Sequence, residues 1–451
     1  MFFVNLCRGK KNSTNVEIDI ACEYVQRTAW SQVKYYVDPF ADILPNGFLG
    51  LLWPFAESLG FFQPFKEHLH VNMKEVIYSN LDRVKALIAS IVIGCKHGKD
   101  INHKLLPYQG AAQCCHLDQF PDQSQINRFL HRFQLTNISE LDHIFEYLLR
   151  RHGLCHLQRQ VDIDFDCTGL VVYGKTYQLA RKGYFPKKRS SRGYHLSIAG
   201  TANVPFKEIV SLHLDPGNSY VDSRFWDAIY QVANILGDID RIGIIRADSA
   251  SGTGPNIEAL FDHHLSFLIK GKNCCTAKNF AKKLCYSDWI PVNFFIRVAD
   301  LDEQKIPNCR HRVRVIVVET TSPKGRKKYS HLYTMLDKEP EQLFHQYNKR
   351  QNIESIIKED KYGLYITNLR TRKYLGILSF LYFSFICYNL ISLFKYYVLN
   401  GTGLEAMSII DITNKLMDIP AKINAKNKQL TLAFPENHEL CKKYFNIKDN
   451  D

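Results

Sequence analysis

Between residues 48 and 154 apolar side chains recur three and four positions apart, as in the run Val84, Ala86, Leu87, Ile88, Ile91, Val92, and this spacing predicts packed helices. Within it, Pro121 and Asp122 open a helix over residues 123–130 with an N-cap signal. Gln125, Asn127 and Arg128 on that helix are placed either to meet DNA or to pack against neighbours. At Val161 the period changes to two: Val161, Ile163 and Phe165 point one way, and Asp162, Asp164 and Asp166 the other, the pattern of a strand with an acidic face. Further strands are expected over residues 194–200, 209–214, 242–247 and 265–269, with a helix over 223–236 and a Gly-containing loop at 251–255 leading to a shorter helix. Residues 294–298 and 313–319 read as two more strands beside a basic turn at 324–328. One long helix is expected from 339 to 362, an apolar helix over 375–394, and a polar, weakly helical tail after Asn400.

Strands alternating with helices after an all-helical start imply an α/β fold with a mixed sheet. The expected organisation is an N-terminal helical domain (1–155), whose helix over 123–130 is the candidate to meet DNA, a first part of the α/β core (156–271), an inserted β-rich subdomain (272–329), a second part of the core (330–400) and a C-terminal tail (401–451).

Composition sharpens this only in places. The 451 residues are 45% hydrophobic, enough for a large core, and 58 Lys+Arg against 45 Asp+Glu leave a formal charge of +13, which favours a polyanionic partner. None of the 13 cysteines forms a C-x-x-C pair, so a zinc site is not indicated and buried thiols in a reducing compartment are expected. The charges Arg8, Lys10 and Lys11 follow Met1-Phe2-Phe3-Val4 in the wrong order for a secretory signal. The uncharged stretch 375–394 is as long as a bilayer span, yet it contains Ser379, Ser384, Asn389 and Ser392 and has no companion, which favours a helix buried in a large core and no membrane.

Tyr347, Arg350, Glu354, Lys358 and Lys361 fall within roughly an 80° arc of a continuous helix, beside an apolar face of Ile353, Ile356, Ile357 and Leu364. By spacing alone this is an amphipathic helix carrying a solvated Glu354–Lys358 pair. Two strand-borne acids, one on the 161–166 strand and Asp248 at the end of the 242–247 strand, change its meaning, because hard divalent ions that drive phosphodiester chemistry are held by carboxylates converging from separate elements. Spacing does not choose among Asp162, Asp164 and Asp166.

Here a family resemblance becomes specific. Tyr347, Arg350, Glu354 and Lys361 reproduce the Y-x2-R-x3-E-x6-K signature of a subgroup of DDE transposases of bacterial insertion sequences. Asp166-Cys167-Thr168 and Arg246-Ala247-Asp248-Ser249 resemble its first and second acidic motifs, and Gly174, Gly183-Tyr184 and Pro216-Gly217-Asn218 resemble its turns. Ser249-Ala250-Ser251 departs from the Gly and aromatic common there.

The resemblance spans residues 117–399. It implies a ribonuclease H-like core, binding to terminal inverted repeats, and strand cleavage and transfer with two Mg²⁺ or Mn²⁺ ions. The Thr168 match selects Asp166 to hold both ions, with Asp164 as alternative, while Asp248 and Glu354 would each hold one. Tyr347, Arg350 and Lys361 would grip phosphates, with Lys358 on the same face. The cluster Arg181, Lys182, Lys187, Lys188, Arg189 and Arg192, interleaved with Tyr184, Phe185 and Tyr194, would track DNA, as would Lys327 and Lys328 at the 324–328 turn. The implied partners are double-stranded DNA and a second copy of the chain on it, in a nucleoid-associated, cytoplasmic setting. The rival expectation is a catalytically silent DNA-binding relic of the same fold.

Overall fold

A computed structural model describes residues 18–19, 32–37 and 45–445 apart from 186–187, 189, 427–428 and 436–437. The N-terminal charges weighed for a signal, and Lys187 and Arg189, lie outside the described residues. The chain divides into two compact units, one of residues 1–153, 174–179 and 358–451 and the other of residues 154–173 and 180–357.

The first unit contains the expected helices: α1 (Leu49–Ser58), α2 (Gln63–His68), α3 (Asn80–Val92), α4 (Gln123–His131) and α5 (Leu135–His152). Local chemistry sets their starts. Ser79 and Asp82 form a reciprocal capping box on α3, and the Asp122 carboxylate accepts the Gln125 N–H at 2.9 Å on α4. The apolar helix Tyr374–Phe394 packs against α3, α4 and α5 and lies 94% buried over its most apolar window, as the core helix of a soluble protein does. Ser379 and Ser384 are satisfied within the helix, donating to the Leu375 and Phe380 carbonyls.

The C-terminal segment corrects the expectation of a weakly helical tail. Residues Lys422–Lys426 and Gln429–Phe434 form a hairpin, and the second strand pairs in parallel with Gln32–Val37. The cause is a partner almost four hundred residues away in sequence, which no local pattern reports.

The second unit is built on a ten-stranded mixed sheet. Its strands are β1 (Val161–Val172), β2 (Arg181–Lys182), β3 (Arg192–Thr201), β4 (Ile209–Pro216), β5 (Ile242–Ala247), β6 (Phe267–Lys270), β7 (Ile290–Asn293), β8 (Ile296–Lys305), β9 (Arg312–Thr321) and β10 (Lys327–Thr334). The spatial order is β2-β3-β1-β5-β6-β10-β9-β8-β7, with β4 also on β3. β1 lies antiparallel to β3 and parallel to β5, and β5 parallel to β6. The segment 272–329, read from sequence as a separate insertion, supplies strands that continue this sheet past β6 through the antiparallel β6–β10 pair.

Helices α6 (Phe225–Leu236), α7 (Gly254–Asp262) and α8 (Cys274–Ala281) lie between strands in the chain, and α6 ends at Gly237 with φ +84°, a left-handed C-cap. Seven described cysteines are buried as expected, but Cys274, Cys275 and Cys285 are exposed.

Where the chain enters this unit, both carboxylate oxygens of the fully buried Glu208 accept backbone N–H groups, from Leu154 at 2.7 Å and Cys155 at 2.8 Å. Burial lifts its carboxyl to about 7 from 4.5. A raised folded-state value stabilises fully below pH 4.5 and is lost as pH rises through about 7, an effect of roughly 3 kcal/mol. Glu208→Gln should therefore flatten the urea-measured stability curve between those pH values. An unchanged pH slope in the variant would count against this assignment.

Candidate active site

The long helix expected over 339–362 is two helices, α9 (Pro340–Asn348) and α10 (Gln351–Tyr362), separated at Lys349 and Arg350. In an unbroken helix the Arg350 N–H would bond the Gln346 carbonyl. That carbonyl instead accepts Nη1 of Arg246, at 2.9 Å, and the Arg350 N–H turns to the Tyr347 carbonyl, also at 2.9 Å. A buried arginine on β5 thus breaks the helix. The Tyr347 hydroxyl donates to the Ala247 carbonyl at 3.4 Å and holds the end of α9 to the same strand.

Arg246 is 2% exposed and grips both oxygens of Asp164, itself 1% exposed, with Nε–Oδ1 at 2.6 Å and Nη2–Oδ2 at 3.1 Å. Of the acids expected on one face of this strand, Asp164 is thereby set apart from Asp166. Asp164 is committed to a buried ion pair, and burial raises its carboxyl against the pull of Arg246. Asp162 has a structural role, accepting the Ile244 N–H at 2.9 Å.

Asp166 and Asp248 are neighbours by register. The last parallel rung joins Phe165 on β1 to Ala247 on β5, so the two acids stand one residue beyond it on adjacent strands, spaced ~5 Å apart. Asp166 is mostly buried. Its Oδ1 accepts the Cys167 N–H at 2.8 Å. Burial raises its carboxyl, the negative charge of Asp248 adds to the rise, and Arg350 opposes it. The Asp248 Oδ1 accepts the Ala250 N–H at 2.9 Å, and this turn fixes the loop in which Ser249-Ala250-Ser251 departs from the related motif.

Glu354 is brought in from α10. Ile353 and Ile356 on the same helix are fully buried, and a Cβ added at Gly200 of β3 would come within 3.0 Å of both side chains, so α10 lies close on the sheet there. One guanidinium then links two of the three acids: Arg350 Nη1 is 3.2 Å from Asp166 Oδ2, and Nη2 donates to Glu354 Oε1. Arg350 also lies over the Tyr347 ring, 5.9 Å from its centroid. Burial, with Asp248 and Asp166 nearby, pushes the Tyr347 hydroxyl up to about 12.

The donor set suits a hard divalent ion: three carboxylates from a strand centre, a strand end and a helix, with a guanidinium standing in as cation between two of them. Among the described residues, no group of three or more His, Cys, Asp or Glu side chains has the spacing of a ready metal cluster.

The remaining expected contacts divide. Lys358 and Lys361 follow Glu354 along α10, Lys358 exposed and Lys361 half-buried. Arg181, Lys182 and Lys188 are exposed, with Lys188 Nζ 2.7 Å from the Tyr173 hydroxyl, while Arg192 donates to the Ala180 carbonyl at 3.0 Å. Two of the aromatics expected to stack on DNA are core residues. Tyr194 is fully buried, and Phe185 is stacked on His195 in a slot where added Cβ atoms at Gly169 and Gly217 would collide with its ring. Lys327 pairs with Glu319 at 3.2 Å, Lys328 is exposed, and Phe294 and Phe295 stand exposed beside this turn, the Phe295 carbonyl accepting the Thr321 N–H. Sequence reasoning gave Arg246 no role of its own. Its only signal was its place two residues before Asp248.

A mixed sheet with acids side by side on adjacent parallel strands, one at a strand centre and one at a strand end, and a third on a packed helix defines an α/β fold consistent with the ribonuclease H-like fold of DDE enzymes. The family model for the transposase DDE domain, group 1, matches residues 46–448, and the chain belongs to that family, whose enzymes cleave and transfer DNA strands. No curated protein matches it.

Proposed function

We propose that the protein binds the terminal inverted repeats of its own mobile element, as a homodimer on DNA in the cytoplasm, and catalyses cleavage and strand transfer with two Mg²⁺ or Mn²⁺ ions held by Asp166, Asp248 and Glu354. The observation that carries this is the pairing of register and side chain: Asp166 and Asp248 level with each other on neighbouring strands, and Asp166 joined through Arg350 to Glu354. When bound, such ions activate an attacking oxygen and stabilise the leaving one. The chain's own part is to gather the acids and to present Arg350, Tyr347, Lys358 and Lys361 to phosphates. Asp164 drops behind Asp166 as a ligand, because Arg246 already occupies both its oxygens.

DNA carrying the element's own ends, labelled and incubated with the protein and Mg²⁺, should be nicked at the element boundary, and EDTA should stop the reaction. Binding without nicking would establish the silent relic instead. Of the basic tips, Lys328 is exposed while Lys327 is paired with Glu319. Lys328→Ala should therefore lower the slope of log affinity against log salt by about 0.9, one phosphate contact, whereas an unchanged slope would remove this turn from the DNA surface.

A further inference from the structure

Arg350 occupies the electron pairs that a metal ion would need. Its guanidinium reaches Asp166 Oδ2 and Glu354 Oε1 at once, its side chain is 13% exposed, and the Tyr347 ring lies under it. A carboxylate lone pair that accepts an N–H is withdrawn from an incoming cation, and a fixed positive charge between the two acids repels that cation. The guanidinium has a function in the metal-free chain. Asp166 is mostly buried with Asp248 on the next strand, and like charges so placed need a counter-charge. Arginine suits the task because it stays charged and its planar fork spans two partners.

We propose that Arg350 is an exchangeable counter-ion. It holds Asp166 and Glu354 together while no divalent ion is bound, releases them when ions bind, and turns its freed fork to a DNA phosphate. The inference rests on the reading of Asp166 and Glu354 as metal ligands. Its consequence is reciprocal coupling. A phosphate that draws Arg350 away raises the affinity for ions, and bound ions raise the affinity for phosphate by the same factor. Without DNA the site is held metal-poor, with its acids already gathered.

The test is calorimetric titration of the full chain with Mn²⁺ alone, in wild type, Arg350→Met, Arg350→Lys and Glu354→Gln. Arg350→Met should bind Mn²⁺ roughly five-fold tighter or more than wild type, the lower end of ordinary coupling. It should also melt lower than wild type without metal and gain more on Mn²⁺ saturation. Arg350→Lys, a point charge without a fork, should fall between, and it carries the test if the methionine variant does not fold. Mn²⁺ binding by the folded Arg350 variants that is equal to or weaker than that of wild type, with Glu354→Gln weaker than wild type, overturns the inference alone. If neither Arg350 variant takes up Mn²⁺ at millimolar concentration, or if Glu354→Gln binds it as tightly as wild type, the metal-ligand reading falls and the inference falls with it.

Discussion

Asp166→Asn should yield a folded protein that binds DNA and does not cut it, with strand cleavage reduced at least ~10³-fold, a barrier change of about 4 kcal/mol. An amide is nearly isosteric with the carboxylate and can still accept the Cys167 N–H, so the strand keeps its local bond. What it lacks is charge. Within the chain itself that charge is a burden, since burial and Asp248 both disfavour it, against Arg350 and the Cys167 N–H, which favour it. Removing it should leave the melting temperature within a few degrees of wild type, or raise it. Loss of activity without loss of stability separates a functional acid from a structural one. Asp248→Asn and Glu354→Gln should behave alike. Glu354 is more than half exposed, so its replacement should cost least in stability. Nicking at near wild-type rate by any of the three would remove that residue from the site.

Arg246→Met should have the opposite signature and destabilise the protein by ~3–5 kcal/mol, because it leaves Asp164 buried without a partner. The loss has a predictable pH dependence. Without Arg246 the Asp164 carboxyl rises further, so the variant is least impaired at low pH, where Asp164 is protonated, and most impaired as pH increases. Pairing it with Asp164→Leu should recover much of the stability, since two apolar side chains replace a buried ion pair. Activity should stay low in the double variant. Arg246 also takes the Gln346 carbonyl, and without it the chain at Lys349 and Arg350 is free to close into a regular helix that no longer aims Arg350 at Asp166. Recovery of both stability and activity would show that Arg246 has no positioning role.

The residues that could be read from sequence were those whose meaning is local. The alternation from Val161 to Asp166, the cap at Asp122 and the three-and-four spacing of the helices each reflect chemistry within a few residues, and each element lies near its expected place. Elements that depend on distant partners were missed. The hairpin over 422–434 exists beside Gln32–Val37, and β10 beside β6 and β9. The same limit applied inside the site. Asp164 and Asp166 are equivalent by period, and only the buried guanidinium 82 residues from Asp164 distinguishes them. The break between α9 and α10 has no proline or glycine to announce it, because its cause is a side chain on another strand.

The most direct measurement is anomalous diffraction from crystals of the full chain with Mn²⁺ and DNA. Two manganese peaks are expected, with oxygens of Asp166, Asp248 and Glu354 as their protein ligands and Arg350 withdrawn from both Asp166 and Glu354. Manganese bound elsewhere, or Glu354 still clasped by Arg350 with the metal seated on other side chains, would contradict it.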